Sequence, residues 1–285
     1  MDRGLSLKSK EEMRVISANK VRDVIAKLSI QANLVLRKDV LSSLKSAYSR
    51  ETNKRAKDIL KAIINNAYIA RKEKLAICQD TGLPVVFLEI GQEVKINGNL
   101  MKAINKGVEE GYRRGYLRNS IISNPLSRGK PGYSPVVIHT EIATGNRLKI
   151  TVLPKGFGCE NKTQLKMFNP TAKISEIERF IVDAVKSAGP DACPPYVVGV
   201  GIGGTADYAM FLAKKALLKR VTSYVSKLEQ ELLKKINRLN IGPMGLGGKT
   251  TCLGVNIETY PTHISGLPVA VNISCHALRS AAATL

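Results

Sequence analysis

Tyr196-Val197-Val198-Gly199-Val200, followed by Gly201-Ile202-Gly203-Gly204-Thr205 and then by the segment opening at Ala206, is the stretch that decides the fold class. It reads as a strand, a glycine turn, and a helix reaching about Lys219. Strand, turn and helix in direct succession belong to a mixed α/β architecture. Upstream, Ser175-Glu176-Ile177-Glu178 has the form of a capping box and opens a helix to about Ala188, where Gly189-Pro190 stops it. Downstream, a charged helix is expected from about Val221 to Arg238, then strands near Thr251 to Ile257 and Val269 to Ile273.

Further out, Ser9-Lys10-Glu11-Glu12 is a second capping-box pattern. Apolar residues then recur at helical spacing through Met13, Ile16, Val21, Val24, Ile25 and Leu28, and again from Val40 to Ile64. The pattern predicts a helical layer from about Ser9 to Lys74. At Cys78 the character changes. Leu83 to Ile90 reads as a strand, Leu100 to Arg114 as a helix, and Val136 to Ile142 with Leu148 to Leu153 as two strands joined by a turn at Thr144-Gly145-Asn146. The expectation is a mixed α/β (α+β) fold in which residues 1–285 form a single unit. A helical N-terminal layer, about 1–75, packs on a sheet-containing part, about 76–285.

Composition narrows the function classes. Five cysteines, none in a C-x-x-C pair, and a leading Met1 to Met13 without an apolar stretch point to a reducing, cytoplasmic compartment. No apolar run is long enough to cross a bilayer. The formal net charge of +21 draws anions toward any concave site. A basic nucleic-acid-binding protein is the alternative from another class, with the N-terminal helices as its phosphate-binding face. Nucleic-acid grooves, however, interleave basic clusters with stacking aromatics, and this chain has no Trp.

Several segments carry candidate chemistry. Gly242-Pro243-Met244-Gly245-Leu246-Gly247-Gly248-Lys249-Thr250 resembles the end of a phosphate-binding loop but has Pro243 where that pattern needs glycine. Gly201-Ile202-Gly203-Gly204 could face an anion at a helix start or serve as a tight turn, and the sequence leaves both open. Pro154-Lys155-Gly156-Phe157-Gly158-Cys159-Glu160-Asn161-Lys162 combines glycine backbone with two lysines, a composition suited to a carboxylate. Gln79-Asp80, beside Cys78, supplies a proton-transfer candidate in Asp80, although Asp80-Thr81-Gly82 has the form of a capped turn as well. Of the three histidines, His139 sits on a strand, while His263 and His276 flank Cys275 in sequence. Zinc is disfavoured because structural sites use close cysteine pairs. Cys252 reads as a small buried hydrophobe.

Cys78, Cys193 and Cys275 stand in three separate polar or proline-rich contexts, and three thiolates from distant segments can hold three irons of a cubane while leaving the fourth open. Taken together, six segments resemble, in order, those of class I fumarate hydratases and L-tartrate dehydratases. They are Ile77-Cys78-Gln79-Asp80-Thr81-Gly82, Lys155 to Lys162, Ala192-Cys193-Pro194-Pro195, Ile202 to Thr205, Gly247-Gly248-Lys249 and Cys275-His276-Ala277-Leu278-Arg279. The resemblance implies an oxygen-sensitive 4Fe-4S hydro-lyase with Cys78, Cys193 and Cys275 as cluster ligands. It also implies Asp80 and His263 as catalytic residues, and Gln79, Arg118, Gly156, Gly158 and Lys162 around a dicarboxylate substrate. Cys159 stands where a serine is common in that family, and a fourth ligand there would close the open iron. Single-chain members continue into a further domain, so the chain is expected to be the α subunit of a hetero-oligomer whose separate β subunit completes the site. Reversible hydration of fumarate to L-malate is the activity read first. Dehydration of L-tartrate to oxaloacetate is the alternative.

Overall fold

The computed structural model describes residues 13–221 and 226–285, and the fold is mixed α/β. Two compact units divide the chain: Met1–Ile30, Pro84–Val152 and Ala281–Leu285 form one, and Gln31–Leu83 with Leu153–Ser280 the other.

In the first unit, strand β1 (Arg14–Ser17) precedes helix α1 (Ala18–Leu34), whose last turn belongs to the second unit. The helix expected through Met13 and Ile16 therefore starts later, because Arg14 to Ser17 pair in parallel with strand β3 (Val94–Asn97) and their backbone bonds go to that partner. The capping-box pattern at Ser9 to Glu12 lies outside the described residues. Helix α4 (Leu100–Arg114) has the predicted bounds, and its N-cap Asn99 accepts the Lys102 N–H at 2.9 Å. It crosses α1 closely: a Cβ on Gly107 or Gly111 would lie 2.6 Å from the Arg22 or Ala26 carbonyl oxygen. Strands β2 (Leu83–Gly91), β4 (Val137–Ala143), β5 (Leu148–Lys155) and β10 (Ala281–Thr284) form a sheet in the order β10-β5-β2-β4. The turn at Thr144 to Asn146 does not make a hairpin of its flanking strands, since β2 lies between them and pairs in parallel with β4, Val85 opposite Val137.

The second unit contains helices α2 (Lys38–Arg50) and α3 (Lys54–Glu73) and a sheet in the order β6-β9-β7-β8, formed by Gln164–Phe168, Leu267–Ser274, Tyr196–Gly204 and Cys252–Thr262. Alternation along β7 sets the two faces. Val198 and Val200 join Ile181 and Val185 of helix α6 (Ile174–Ala188) and Leu232 and Ile236 of helix α8 (Lys227–Asn237) in the main core. Gly199 and Gly201 point the other way, against helix α7 (Ala206–Ala216), where a Cβ would lie 2.1 Å from the carbonyl oxygens of Ala213 and Ala209. Part of the glycine pattern thus serves helix-to-sheet packing.

Two caps differ from expectation. Helix α6 starts at Ile174, and Glu176 accepts the Lys173 N–H at 2.8 Å; Ser175 lies inside the first turn, and Glu178 is buried in a 2.7 Å ion pair with Lys235. Helix α8 starts at Lys227 behind a capping box made by Ser226 and Glu229, and residues 222–225 of the longer predicted helix lie outside the described residues.

Candidate active site

Three chain segments of the second unit converge at one end of its sheet. Cys193 precedes β7, Cys275 follows β9, and Val197 pairs with Ser274, so the antiparallel register brings the segments that carry these two cysteines to the same end of the sheet. His276 fastens the pair: its backbone N–H and its Nδ1 lie 3.4 and 3.1 Å from the Cys193 carbonyl oxygen. The third segment is clamped from both sides, because the Ile77 N–H donates to the Asn33 carbonyl at 3.0 Å and Asn66 donates to the Ile77 carbonyl at 2.9 Å. Arg279, buried, donates to the Asp80 carbonyl, joining the turn that carries Cys78 to the one that carries Cys275.

The thiols sense one another. Burial, together with the neighbouring Cys275 and Cys78 thiols and Asp80, pushes the Cys193 thiol above its ordinary value. A hydrogen bond from Cys159 holds Cys275 well below the ordinary thiol range against the cost of burial, and His276 and Arg279 add to this. Cys159 is raised by the same contact and by burial, so it keeps its proton; its Sγ lies 3.2 Å from the Ala192 carbonyl oxygen. Cys78, Cys193 and Cys275 are half-buried and unpaired, whereas Cys159 and Cys252 are buried. Cys252 donates to the Gly254 carbonyl at 3.2 Å, and burial pushes its thiol up to about 12.

Among the described residues no group of three His, Cys, Asp or Glu side chains closes around a single metal ion. A cubane makes a different demand, since each thiolate takes its own iron and the ligands stand around the cluster and not around one centre. Three interacting, partly exposed thiols from three segments fit that donor set.

Asp80 is held beside them. Its Oδ1 accepts the Gly82 N–H and its Oδ2 the Phe157 N–H, both at 2.9 Å, so the carboxylate is oriented by the turn and by the glycine loop at once. Backbone space at Gly82 is minimal: with φ at +74°, its Cβ would fall 2.7 Å from the Pro154 carbonyl carbon. Gly156 borders Asp80 as well, since a Cβ there would lie 3.1 Å from Oδ2. Gly158 and Gln79 are exposed, and Lys162 pairs with Asp191 at 3.2 Å. Lys155, grouped with the substrate loop on composition, is instead 2 % exposed and turned inward, donating to the Ile273 carbonyl at 2.9 Å and pairing with Glu160 at 3.1 Å.

Arg118 belongs to the first unit, where it is exposed after α4. His263 occupies the turn joining β8 to β9, with Nδ1 2.7 Å from the Ser265 hydroxyl. Strand β9 separates it from Cys275, a distance of roughly 20 Å at the rise of an extended chain. Of the two acid–base candidates, Asp80 alone stands beside the thiols of its own chain.

Glu160 and Asn272, bonded to each other at 3.1 Å beside Lys155, were not singled out in the sequence. Asn272 is the one polar side chain among the buried residues from Val269 to Ile273, a break in an apolar strand that could have marked it. The glycine segment 242–250 also has a structural partner. Buried Glu51 accepts the N–H groups of Thr52, Asn53 and Lys249 at 2.8, 2.9 and 2.7 Å, which fixes the segment to the start of α3.

Comparison with known proteins assigns the chain to a hydro-lyase family. Residues 22–284 match the family model described as fumarate hydratase (fumerase), and the chain belongs to that family. It is 40 % identical over 275 residues to a Methanocaldococcus jannaschii protein provisionally named L(+)-tartrate dehydratase subunit alpha, covering 92 % of this chain and 96 % of that one. It is 29 % identical over 272 residues to the L(+)-tartrate dehydratase subunit alpha of Escherichia coli strain K12, covering 92 % and 90 %, and to that of Shigella sonnei to the same extent. Among the described residues no helix is long and apolar enough to cross a membrane.

Proposed function

We propose that this chain is the α subunit of an L(+)-tartrate dehydratase, which removes water from tartrate to give the enol of oxaloacetate and works with a separate β subunit in a reducing, cytoplasmic setting. The observation that carries the substrate is the relatives' shared name, at up to 40 % identity over nearly the whole chain. This reverses the order in which the sequence alone ranked fumarate and tartrate.

Cys78, Cys193 and Cys275 would hold a 4Fe-4S cluster, which supplies an open iron as Lewis acid for a carboxylate and the departing hydroxyl. The chain's own groups do the rest. Asp80, with both oxygens aimed by backbone donors, takes the proton from the carbon next to a substrate carboxylate. Gly156 borders Asp80, and the Gly156 to Gly158 backbone would favour an anion there; Lys162 would add positive charge, and Gln79 an uncharged donor for a substrate oxygen. His263, at the far end of β9, would join this site only as part of the assembled enzyme, and Arg118 would supply a cation for a substrate carboxylate.

Hydration of fumarate is the second reading, favoured by the family description itself. The test is anaerobic purification with the co-expressed β chain and parallel assays on L(+)-tartrate and fumarate. Oxaloacetate formation dominating supports the proposal, and malate formation dominating overturns its substrate.

A further inference from the structure

Beside the thiols lies a largely buried charge cluster with Lys155 at its centre. Glu160 meets three side chains on three other elements: it pairs with Lys155 at the end of β5 (3.1 Å) and accepts from Lys214 on α7 (2.5 Å) and Asn272 on β9 (3.1 Å). Asn272 also donates to the Thr163 hydroxyl at 3.0 Å. Lys155 is 2 % exposed, and Glu160 and Lys214 retain about a fifth of their side-chain surface. Two ammonium groups thus share one carboxylate, leaving one positive charge uncompensated. An uncompensated buried charge is expensive unless something negative lies beside it.

The cluster also touches every cysteine segment. The Lys155 ammonium is bonded to the Ile273 carbonyl, two residues before Cys275. The Lys155 backbone packs on Gly82 at the end of the Cys78 turn. Cys159, next to Glu160, reaches the Ala192 carbonyl beside Cys193. Lys155 is also close enough to Cys159 to pull against the rise of its thiol.

We propose that Lys155, Glu160 and Lys214 act as a positioning set that holds the three cysteine segments in place and, through its single net positive charge, offsets the negative charge of the iron-sulfur group those cysteines would bind. This rests on the cofactor reading above. Surrounding groups set the potential and stability of such a cluster as its ligands do.

The test uses the chain co-expressed with its β partner and purified without oxygen, measuring iron and sulfide content and the cluster midpoint potential by redox titration followed by electron paramagnetic resonance. Glu160→Gln keeps the shape and adds one net positive charge, which favours the reduced, more negative cluster, so the midpoint should move upward. Lys155→Met removes the surplus charge and should move it downward or lose the cluster, while Lys155→Arg, which keeps the charge, should retain the cluster with a midpoint near wild type. Opposite shifts in the first two variants support the inference, as does loss of iron in Lys155→Met with retention in Lys155→Arg. Midpoints unmoved or moved in the same direction, or equal loss of iron in both Lys155 variants, overturn it while leaving the cofactor reading intact. Wild-type protein devoid of iron and sulfide would overturn both.

Discussion

Asp80 shows how one residue can satisfy two readings. It caps its own turn through Oδ1, the commonest use of an Asp-Thr-Gly triplet, and still presents Oδ2 to the glycine loop beside the thiols. Asp80→Asn preserves the shape but removes the proton acceptor, so turnover should fall by about 10²-fold or more with iron content unchanged. Near-normal turnover would return Asp80 to a purely structural role. The cysteines divide in the same manner. Serine at 78, 193 or 275 should abolish visible iron-sulfur absorbance, and serine at buried position 252 should leave it; absorbance lost at 252 and kept at 193 would reverse the assignment.

At the scale of elements, Glu160 and Gly201 of β7 carry the measurable consequences. Burial alone would raise the Glu160 carboxyl, but Lys155 and Lys214 outweigh it and hold the group at about 2. An unfolded Glu titrates near ~4.3, so the native state binds the proton less readily. The resulting stabilisation, on the order of 2–3 kcal/mol, is present above that pH and is lost as pH falls toward 2. In Glu160→Gln that component disappears. The stability gap between wild type and variant, read by chemical denaturation, should therefore be wide at pH 6 and narrow toward pH 2. Gly201→Ala tests packing and not charge: its methyl group would sit 2.1 Å from the Ala209 carbonyl, and α7 must move. Overpacking of this kind costs about 1–3 kcal/mol, which calorimetry should register as a Tm lower by several degrees.

For the whole molecule, the family membership and the subunit names of the relatives bear on assembly. The three thiols are only half-buried, and an open iron facing water would neither orient a dicarboxylate nor exclude competing reactions. The chain alone, reconstituted with iron and sulfide under anaerobic conditions, should show negligible tartrate dehydration. Adding the β chain should restore turnover and form a complex that survives gel filtration; full turnover by the isolated chain would sink the two-subunit reading.

Helix α4 and the strand-turn-helix at 196–216 were legible in the sequence because each depends on local patterning: apolar period, capping residues and glycine clusters. The turn at 144–146 was legible too, but not which strand would pair with β4, since pairing is settled between segments far apart in the chain. The same limit applies to the site. Nothing local distinguishes Lys155 from Lys162 on one loop, yet one is turned inward to Glu160 while the other stays partly exposed beside Asp191. Nothing local separates His263 from Cys275 either, twelve positions apart in sequence but held at opposite ends of β9. Sequence determined the residue types and the elements that carry them. Only tertiary packing decided which side chains meet, because burial, charge pairing and strand register arise between elements and not within them.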